Sequence, residues 1–276
     1  MLQLGEINTL NIIRITDHGW FLEDEEQNEV LLPNKFVTEE MKAGDKLDVF
    51  IYMDSEDRVT ATTQKPLISL NEFACLKVKD VNKFGAFMDW GLDKDLMVPF
   101  SEQHHKMNID EEHVVRLVHD EKTDRLFATA RLNKYLEIDY ITVKPNEEVD
   151  ILILEETDLG FKAIIEDAHL GLIYKSNVFE PLKKGDKMKA WIKLIREDGK
   201  IDLSLQKFGY GNIEPSSQKV MDFLLGNDGF LPLHDKSKPQ EIIDLLNMSK
   251  KTFKKSIGSL YKQKLIKLEK NGIRLA

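Results

Sequence analysis

Val78-Lys79-Asp80-Val81-Asn82-Lys83-Phe84-Gly85-Ala86-Phe87-Met88-Asp89 holds two short apolar runs separated by a polar turn and a glycine. Short runs of this kind between turn residues read as half-buried strands, so the segment is a strand, a turn and a second strand. The glycine followed by an apolar strand recurs as Gly19-Trp20-Phe21-Leu22, 66 residues earlier, and as Gly160-Phe161-Lys162-Ala163-Ile164, 75 residues later. Such self-similarity marks a repeated supersecondary unit and is read before any other feature.

Working outward, each copy continues with an acidic turn and a second short strand: Val30-Leu31-Leu32-Pro33, Leu96-Met97-Val98-Pro99 and Leu170-Gly171-Leu172-Ile173-Tyr174. The first and third copies then carry Lys42-Ala43-Gly44-Asp45-Lys46 and Lys183-Lys184-Gly185-Asp186-Lys187, turns that feed the strands 47–52 and 188–194. The second copy lacks this signature. All three close on an acidic hairpin and a last strand, at Asp57-Arg58-Val59-Thr60-Ala61-Thr62, Asp124-Arg125-Leu126-Phe127-Ala128-Thr129 and Asp198-Gly199-Lys200-Ile201-Asp202-Leu203. About five short strands in roughly 65 residues is the size of a small closed barrel, with the oligonucleotide-binding barrel the leading candidate. The expected domains are 1–66, 67–140 and 141–210, followed by a different module at 211–276, with Gly209-Tyr210-Gly211 in the linker.

That last module reads as helix, strand, helix, helix, hairpin. Ser216-Ser217 precede a helical stripe of Val220, Phe223 and Leu224 that stops at Gly226-Asn227, and Phe230-Leu231-Pro232-Leu233 forms a short strand. Ser237 and Gln240 have capping-box spacing, Pro239 suits a first turn, and Ile242, Ile243 and Leu246 give a buried stripe. Ser249 caps a third helix with Phe253, Ile257, Leu260 and Tyr261 on its apolar face, and Lys251, Lys255 and Lys262 opposite, beside Gly258. Asn271-Gly272 between apolar runs signals a tight hairpin. This order is that of a winged helix, whose third helix enters a groove while the hairpin meets the backbone.

The 276 residues carry a net charge of −9, which at first argues against a polyanionic partner. The charge is unevenly spread: −8 over 1–66, −4 over 67–140, −3 over 141–214 and +6 over 215–276. A basic terminal module after an acidic remainder points that module at a polyanion. The composition, 42% hydrophobic and 32% charged, is that of an ordinary globular chain without a run of about 18 apolar residues, so no membrane is expected. MLQLGEINTLNIIRI lacks the basic start and apolar core of an export signal, and a cytoplasmic location is expected. The single cysteine, Cys75, excludes an intrachain disulfide and a multi-cysteine zinc site, and reads as a small buried apolar residue.

Val78 to Asp89 resembles the strand-turn-strand signature of ribosomal S1-type RNA-binding domains, most clearly in the second copy and least in the first. Three such copies and a winged helix, with Asp158-Leu159-Gly160-Phe161-Lys162, Gly171-Leu172-Ile173-Tyr174-Lys175, the run from Ile195 to Gln206 and Met248-Ser249-Lys250-Lys251-Thr252-Phe253-Lys254-Lys255, resemble the bacterial conserved virulence factor B family over essentially the whole chain. The resemblance implies a mainly β chain of tandem S1-like OB barrels with a C-terminal α+β winged-helix domain. It implies an RNA-binding regulator of gene expression, and members are also labelled transcriptional regulators.

S1-type barrels stack single-stranded bases on aromatics and hold phosphates with Lys or Arg. By that resemblance Phe84 and Phe87 are stacking residues, with Lys79, Lys83 and Arg131 as phosphate contacts. Pro99 stands where the family motif has a histidine. The plain alternative is that both phenylalanines plug the barrel. The first copy has His18 and Phe21 at matching positions, but its charge repels phosphate over a Debye length of about 8–10 Å, and it suits scaffolding or a protein partner instead. The third copy offers Phe161 and Tyr174, with Lys175, Lys183, Lys184, Lys187, Lys189 and Lys193 in a basic half that adjoins Lys250, Lys251, Lys254, Lys255, Lys262 and Arg274 of the last module. A continuous RNA site across the two is expected; a merely solvated helix face is the alternative for the lysines.

Two rival functions remain. Duplex DNA would need base-reading side chains, and the exposed face of the third helix has Lys, Ser and Thr but no Arg, Asn or Gln. A protein-interaction scaffold is the other. No enzyme, cofactor or metal is expected: His104, His105, His113 and His119 lack metal-ligand spacing, and no phosphate-binding glycine motif is present.

Overall fold

The computed structural model describes residues 1–137, 140–178, 180–206, 215–227, 229–263 and 265–275. The first copy comprises β1 (Ile7–Thr16), β2 (Gly19–Glu23), β3 (Glu29–Pro33), β4 (Lys46–Met53) and β5 (Val59–Thr62). The second comprises β6 (Phe73–Val81), β7 (Gly85–Asp89), β8 (Leu96–Pro99), β9 (Glu112–Asp120) and β10 (Arg125–Thr129). The third comprises β11 (Glu148–Glu156), β12 (Gly160–Ile165), β13 (His169–Tyr174), β14 (Lys187–Ile195) and β15 (Ile201–Ser204). The first and third close into five-stranded barrels in the orders β1-β2-β3-β5-β4 and β11-β12-β13-β15-β14. The second is a five-stranded sheet in the corresponding order, β10-β9-β6-β7-β8, with its end strands β8 and β10 adjacent. The fold is mainly β with OB-like barrels. The described chain divides into two compact units, residues 1–143, 149–189 and 195–203 in one and 144–148, 190–194 and 204–276 in the other.

The repeated glycines have a steric cause. A Cβ on Gly19, Gly85 or Gly160 would lie 2.4, 2.2 or 2.0 Å from the carbonyl oxygen of Leu32, Val98 or Ile173, so only glycine lets the second and third strands pack this closely. The long first strand of each copy carries a bulge, between Ile12 and Arg14, Val78 and Asp80, and Ile153 and Glu155. A loop closes on each bulge: Gly44, Asp110 and Gly185 donate their N–H to the carbonyls of Ile12, Val78 and Ile153 at 2.8, 2.9 and 2.8 Å. The second copy therefore has the turn that its sequence hides. Asn108-Ile109-Asp110-Glu111 replaces the Lys-x-Gly-Asp pattern, with Asp110 at φ 70° where Gly44 and Gly185 have φ 93° and 89°. Glu111 accepts from the Asn108 N–H at 2.9 Å, as Asp45 does from Lys42 and Asp186 from Lys183. The amide and N–H of Asn108 and the nearby His113 hold the Glu111 carboxyl down at about 2.

The first two copies share a core. Phe50 and Tyr52 of β4 are buried with Trp90, Met88 and Val98 of the second copy, and their rings meet Trp90 edge-on at 5.7 and 6.5 Å. The second and third copies share another, with Phe73 and Val114 against Leu152 and Ile164. Asp167, at φ 50°, accepts the Phe73 N–H at 3.1 Å, and Arg116 lies 4.9 and 4.8 Å from the Phe73 and Tyr135 rings. Cys75 is only half-buried, since it packs under the backbone of Gly185 rather than inside a barrel; burial still pushes its thiol up.

The C-terminal module has α1 (Pro215–Gly226), β16 (Phe230–Leu231), α2 (Pro239–Leu246), α3 (Lys250–Lys262), β17 (Ile266–Glu269) and β18 (Gly272–Leu275), with a sheet ordered β16-β18-β17. Its core includes Val220, Leu224, Leu231, Ile242, Leu246, Phe253, Ile257, Leu260 and Ile273. Several details differ from the expected pattern. Ser216-Ser217 lie within α1. The cap of α2 is Lys238, whose N–H donates to Glu241 at 3.0 Å, because Ser237 is spent on the His234 N–H in the preceding turn. Ile243 and Tyr261 are exposed, since the residues that α2 and α3 turn inward are Ile242 and Leu246, and Phe253, Ser256, Ile257 and Leu260. The hairpin loop is Lys270-Asn271, with Gly272 opening β18 opposite Glu269. Ser249 caps α3 through the Thr252 N–H at 3.1 Å. The linker glycines at 209 and 211 and the boundary at 210/211 lie outside the described residues.

Candidate nucleic-acid interface

A cleft of about 600 Å³ opens on the third barrel, lined entirely by residues of that barrel. Its apolar wall is Leu159, Leu170, Leu172, Tyr174 and Ile201, and its polar edge is Lys162, Arg196, Lys200, Asp158 and Asp202. Leu172 and Tyr174 alternate along β13, and Lys162 of β12 and Asp202 of β15 are the direct partners of Leu172, which puts all four on one face. Arg196 forks onto Asp202, donating from Nη2 to Oδ1 at 2.9 Å and from Nε to Oδ2 at 3.2 Å, and Nη2 also donates to the Tyr174 hydroxyl. The Asp202 carboxylate holds the guanidinium above its ordinary value, so the cation is fixed. A flat ring entering here meets an aliphatic and aromatic wall, while Lys162 and Lys200 stand at the edge.

Strand register fixes which side chains correspond across the copies. Gly19 pairs with Pro33, Gly85 with Pro99 and Gly160 with Tyr174. Tyr174 therefore occupies the place of Pro99. Two residues beyond each glycine stand Phe21, Phe87 and Lys162, and just before each stand His18, Phe84 and Leu159. Phe161 falls instead at the register of Trp20 and Ala86, opposite the fully buried Ile173 and half-buried itself. Leu159 and Lys162 are cleft residues that sequence reasoning passes over; their places relative to Gly160 find both, Leu159 immediately before it and Lys162 two residues beyond it. Arg196, Lys200 and Asp202 escape it too, and no local pattern separates them from an acidic hairpin.

In the second copy Phe84 is exposed with the Lys83 ammonium 5.0 Å from its ring centre, and Phe87 is half-buried. Lys79 is paired with Asp95 at 2.9 Å, which raises its pKa, and Arg131 donates from Nε to the Ser101 carbonyl at 2.6 Å. The corresponding hollow, about 200 Å³, is walled on one side by Met53 and Asp57 of the first copy. In the first copy Arg14 lies over Phe21 at 4.1 Å.

Elsewhere in the third copy Lys175 pairs with Glu156 at 2.8 Å and Lys189 with Asp150 at 2.7 Å, while Lys187 and Lys193 are exposed strand residues. In the winged helix Lys251, Lys254, Lys255 and Lys262 are exposed on α3, and an added Cβ on Gly258 would touch nothing, so that helix face is open. Lys250 is half-buried, reaching the Lys236 carbonyl at 3.4 Å. Arg274 lies 5.2 Å from the Phe230 ring centre and 3.5 Å from Glu269. Among the described residues no His, Cys, Asp and Glu group is arranged to hold a metal ion. No helix among them is long and apolar enough to cross a membrane.

Residues 4–64 match the family model of the S1 domain, and residues 218–275 that of the CvfB-like winged helix domain. The S1 match falls on the copy whose sequence resembles the signature least. The chain is 24% identical to conserved virulence factor B of Staphylococcus saprophyticus, over 99% of this chain and 94% of that one. The chain is similar to conserved virulence factor B along nearly its whole length. Conserved virulence factor B of Staphylococcus aureus is 23% identical with the same coverage, and the uncharacterized protein YitL of Bacillus subtilis is 29% identical over 94% of this chain and 89% of its own. A crystal structure of a multidomain protein with nucleic acid binding domains from Streptococcus pneumoniae aligns over 99% of this chain and 98% of that one, at 25% identity and a TM-score of 0.51.

Proposed function

We propose that the chain binds single-stranded RNA in the cleft of the third barrel and along the lysine face of α3, and that it acts in post-transcriptional control of gene expression in the cytoplasm, without catalysis of its own. Nucleic-acid binding is the coarser part of this reading, supported by the S1 and winged-helix matches and by the pneumococcal structure. The observation that carries the finer part is the cleft, in which Leu159, Leu172 and Tyr174 offer a wall for an unstacked base and Lys162 and Lys200 lie where its phosphates would pass. Both lysines pair with exposed carboxylates, Glu155 and Asp198, at 2.7 Å. Exposed pairs of this kind are worth about 0–1 kcal/mol, so a phosphate can replace the carboxylate at little cost.

The test is fluorescence anisotropy with labelled single-stranded RNA, the same sequence as single-stranded DNA, and a DNA duplex. Single-stranded RNA is expected to bind tightest. Stacking on one ring is worth about 1–3 kcal/mol, so Tyr174→Ala should weaken it by about 5- to 150-fold. Preference for the duplex would move the function to transcription, and no binding by any of them at low salt would leave the scaffold reading.

A further inference from the structure

Equivalent faces of the second and third barrels differ in what covers them. The cleft of the third is lined by its own residues, whereas the hollow beside Phe87 and Met97 in the second is a third of that volume and is closed on one side by the β4–β5 hairpin of the first copy. Asp57 at the tip of that hairpin pairs with Arg125 and reaches the Lys94 ammonium at 3.7 Å, and Lys94 donates to the Asp54 carbonyl at 2.6 Å. Lys94 and Arg125 are the two cations among the described residues that line the hollow. The hairpin is not a loose loop: Phe50 and Tyr52, on the strand leading into it, are buried against Trp90 in the shared core.

We infer that the acidic hairpin is a built-in occupant of the second barrel's nucleotide face, its Asp57 carboxylate standing where a phosphate would otherwise meet Arg125 and Lys94. An exposed ion pair alone would yield to a competing phosphate. Here the carboxylate is delivered by a packed core, so its local concentration does not fall when RNA approaches. The acidic first copy thus closes the second barrel and leaves the third as the open one. This inference rests on the reading of the barrels as nucleic-acid modules.

The experiment uses the full chain and a labelled single-stranded RNA, with anisotropy read over a series of salt concentrations. Asp57→Asn removes the charge while keeping a residue that tolerates the observed φ of 58°. It is expected to tighten binding by about 3- to 10-fold at low salt and to steepen the salt dependence by about one unit of slope, as one or two phosphates engage the released cations. Glu40→Gln, the same charge change at an exposed site elsewhere on the first copy, should give no comparable gain, and Phe87→Ala added to Asp57→Asn should cancel it. An unchanged affinity for Asp57→Asn, or an equal gain from Glu40→Gln, overturns the inference. The wild-type chain separates the two readings: if it binds no RNA the proposed function fails, whereas binding gained only with Asp57→Asn would still support the closed face.

Discussion

Asp167 shows how one carboxylate at a barrel junction ties stability to pH. It sits in the left-handed turn between β12 and β13 and accepts the Phe73 N–H of the second barrel at 3.1 Å. Burial raises its pKa above the ordinary carboxylate range; that N–H, Lys187 and Arg116 lower it, and Glu72 raises it, with burial prevailing. A carboxyl that binds its proton more tightly folded than unfolded favours the native state at low pH, and that contribution is lost as pH rises from the usual carboxylate range through the raised value. Asp167→Asn keeps a carbonyl acceptor and tolerates the turn, but never ionises. Its urea midpoint should equal that of the wild type near pH 4 and exceed it at pH 7–8. A wild-type advantage at pH 8 would show that the charge is a net gain at this junction.

At the scale of elements, the bulge-closing loops separate backbone need from packing need. Gly44, Asp110 and Gly185 share left-handed backbone, yet a Cβ on Gly44 would touch nothing, while one on Gly185 would lie 2.6 Å from the Cβ of Cys75. Gly44→Asn should therefore cost under about 1 kcal/mol, and Gly185→Asn a further ~1–3 kcal/mol from overpacking, both read from denaturation midpoints. Equal losses would make the dihedral, not Cys75, the limiting term. The same loops explain what is legible in the sequence. The strands are, because their glycines answer to a steric rule that recurs wherever the backbone crosses closely. The turn of the second barrel is not, because Asp110 meets the same dihedral demand with a different residue. Tyr174 follows from its offset from the glycine, whereas Phe161 reads as the stacking residue only while aromatic character is weighed above the two-residue period that selects Lys162. The closure of the second barrel by Asp57 is out of reach, since it depends on how two barrels share a core around Trp90.

Over the whole molecule, charge decides where a polyanion can be drawn in. The net −9 conceals a +6 segment at 215–276, and in the third barrel Lys162, Lys175, Lys189 and Lys200 each face a carboxylate of the same barrel. In the proposed function the cleft accordingly contributes shape and stacking, while attraction from a distance falls to α3. The two contributions have different signatures. Each phosphate neutralised on a single strand adds about 0.7 to the slope of log affinity against log salt, whereas stacking adds affinity with little salt dependence. Replacing Lys251, Lys254 and Lys255 together with Gln should weaken binding to RNAs of every sequence and make that slope shallower by about 2, because three phosphates would no longer meet an ammonium. Tyr174→Ala should lower affinity at each salt concentration and leave the slope as it was. A slope unchanged by the triple variant would take α3 off the RNA and leave the third barrel to hold the strand alone; a slope flattened by Tyr174→Ala would mean that the ring also sets the phosphates on Lys162 and Lys200, beyond stacking a base.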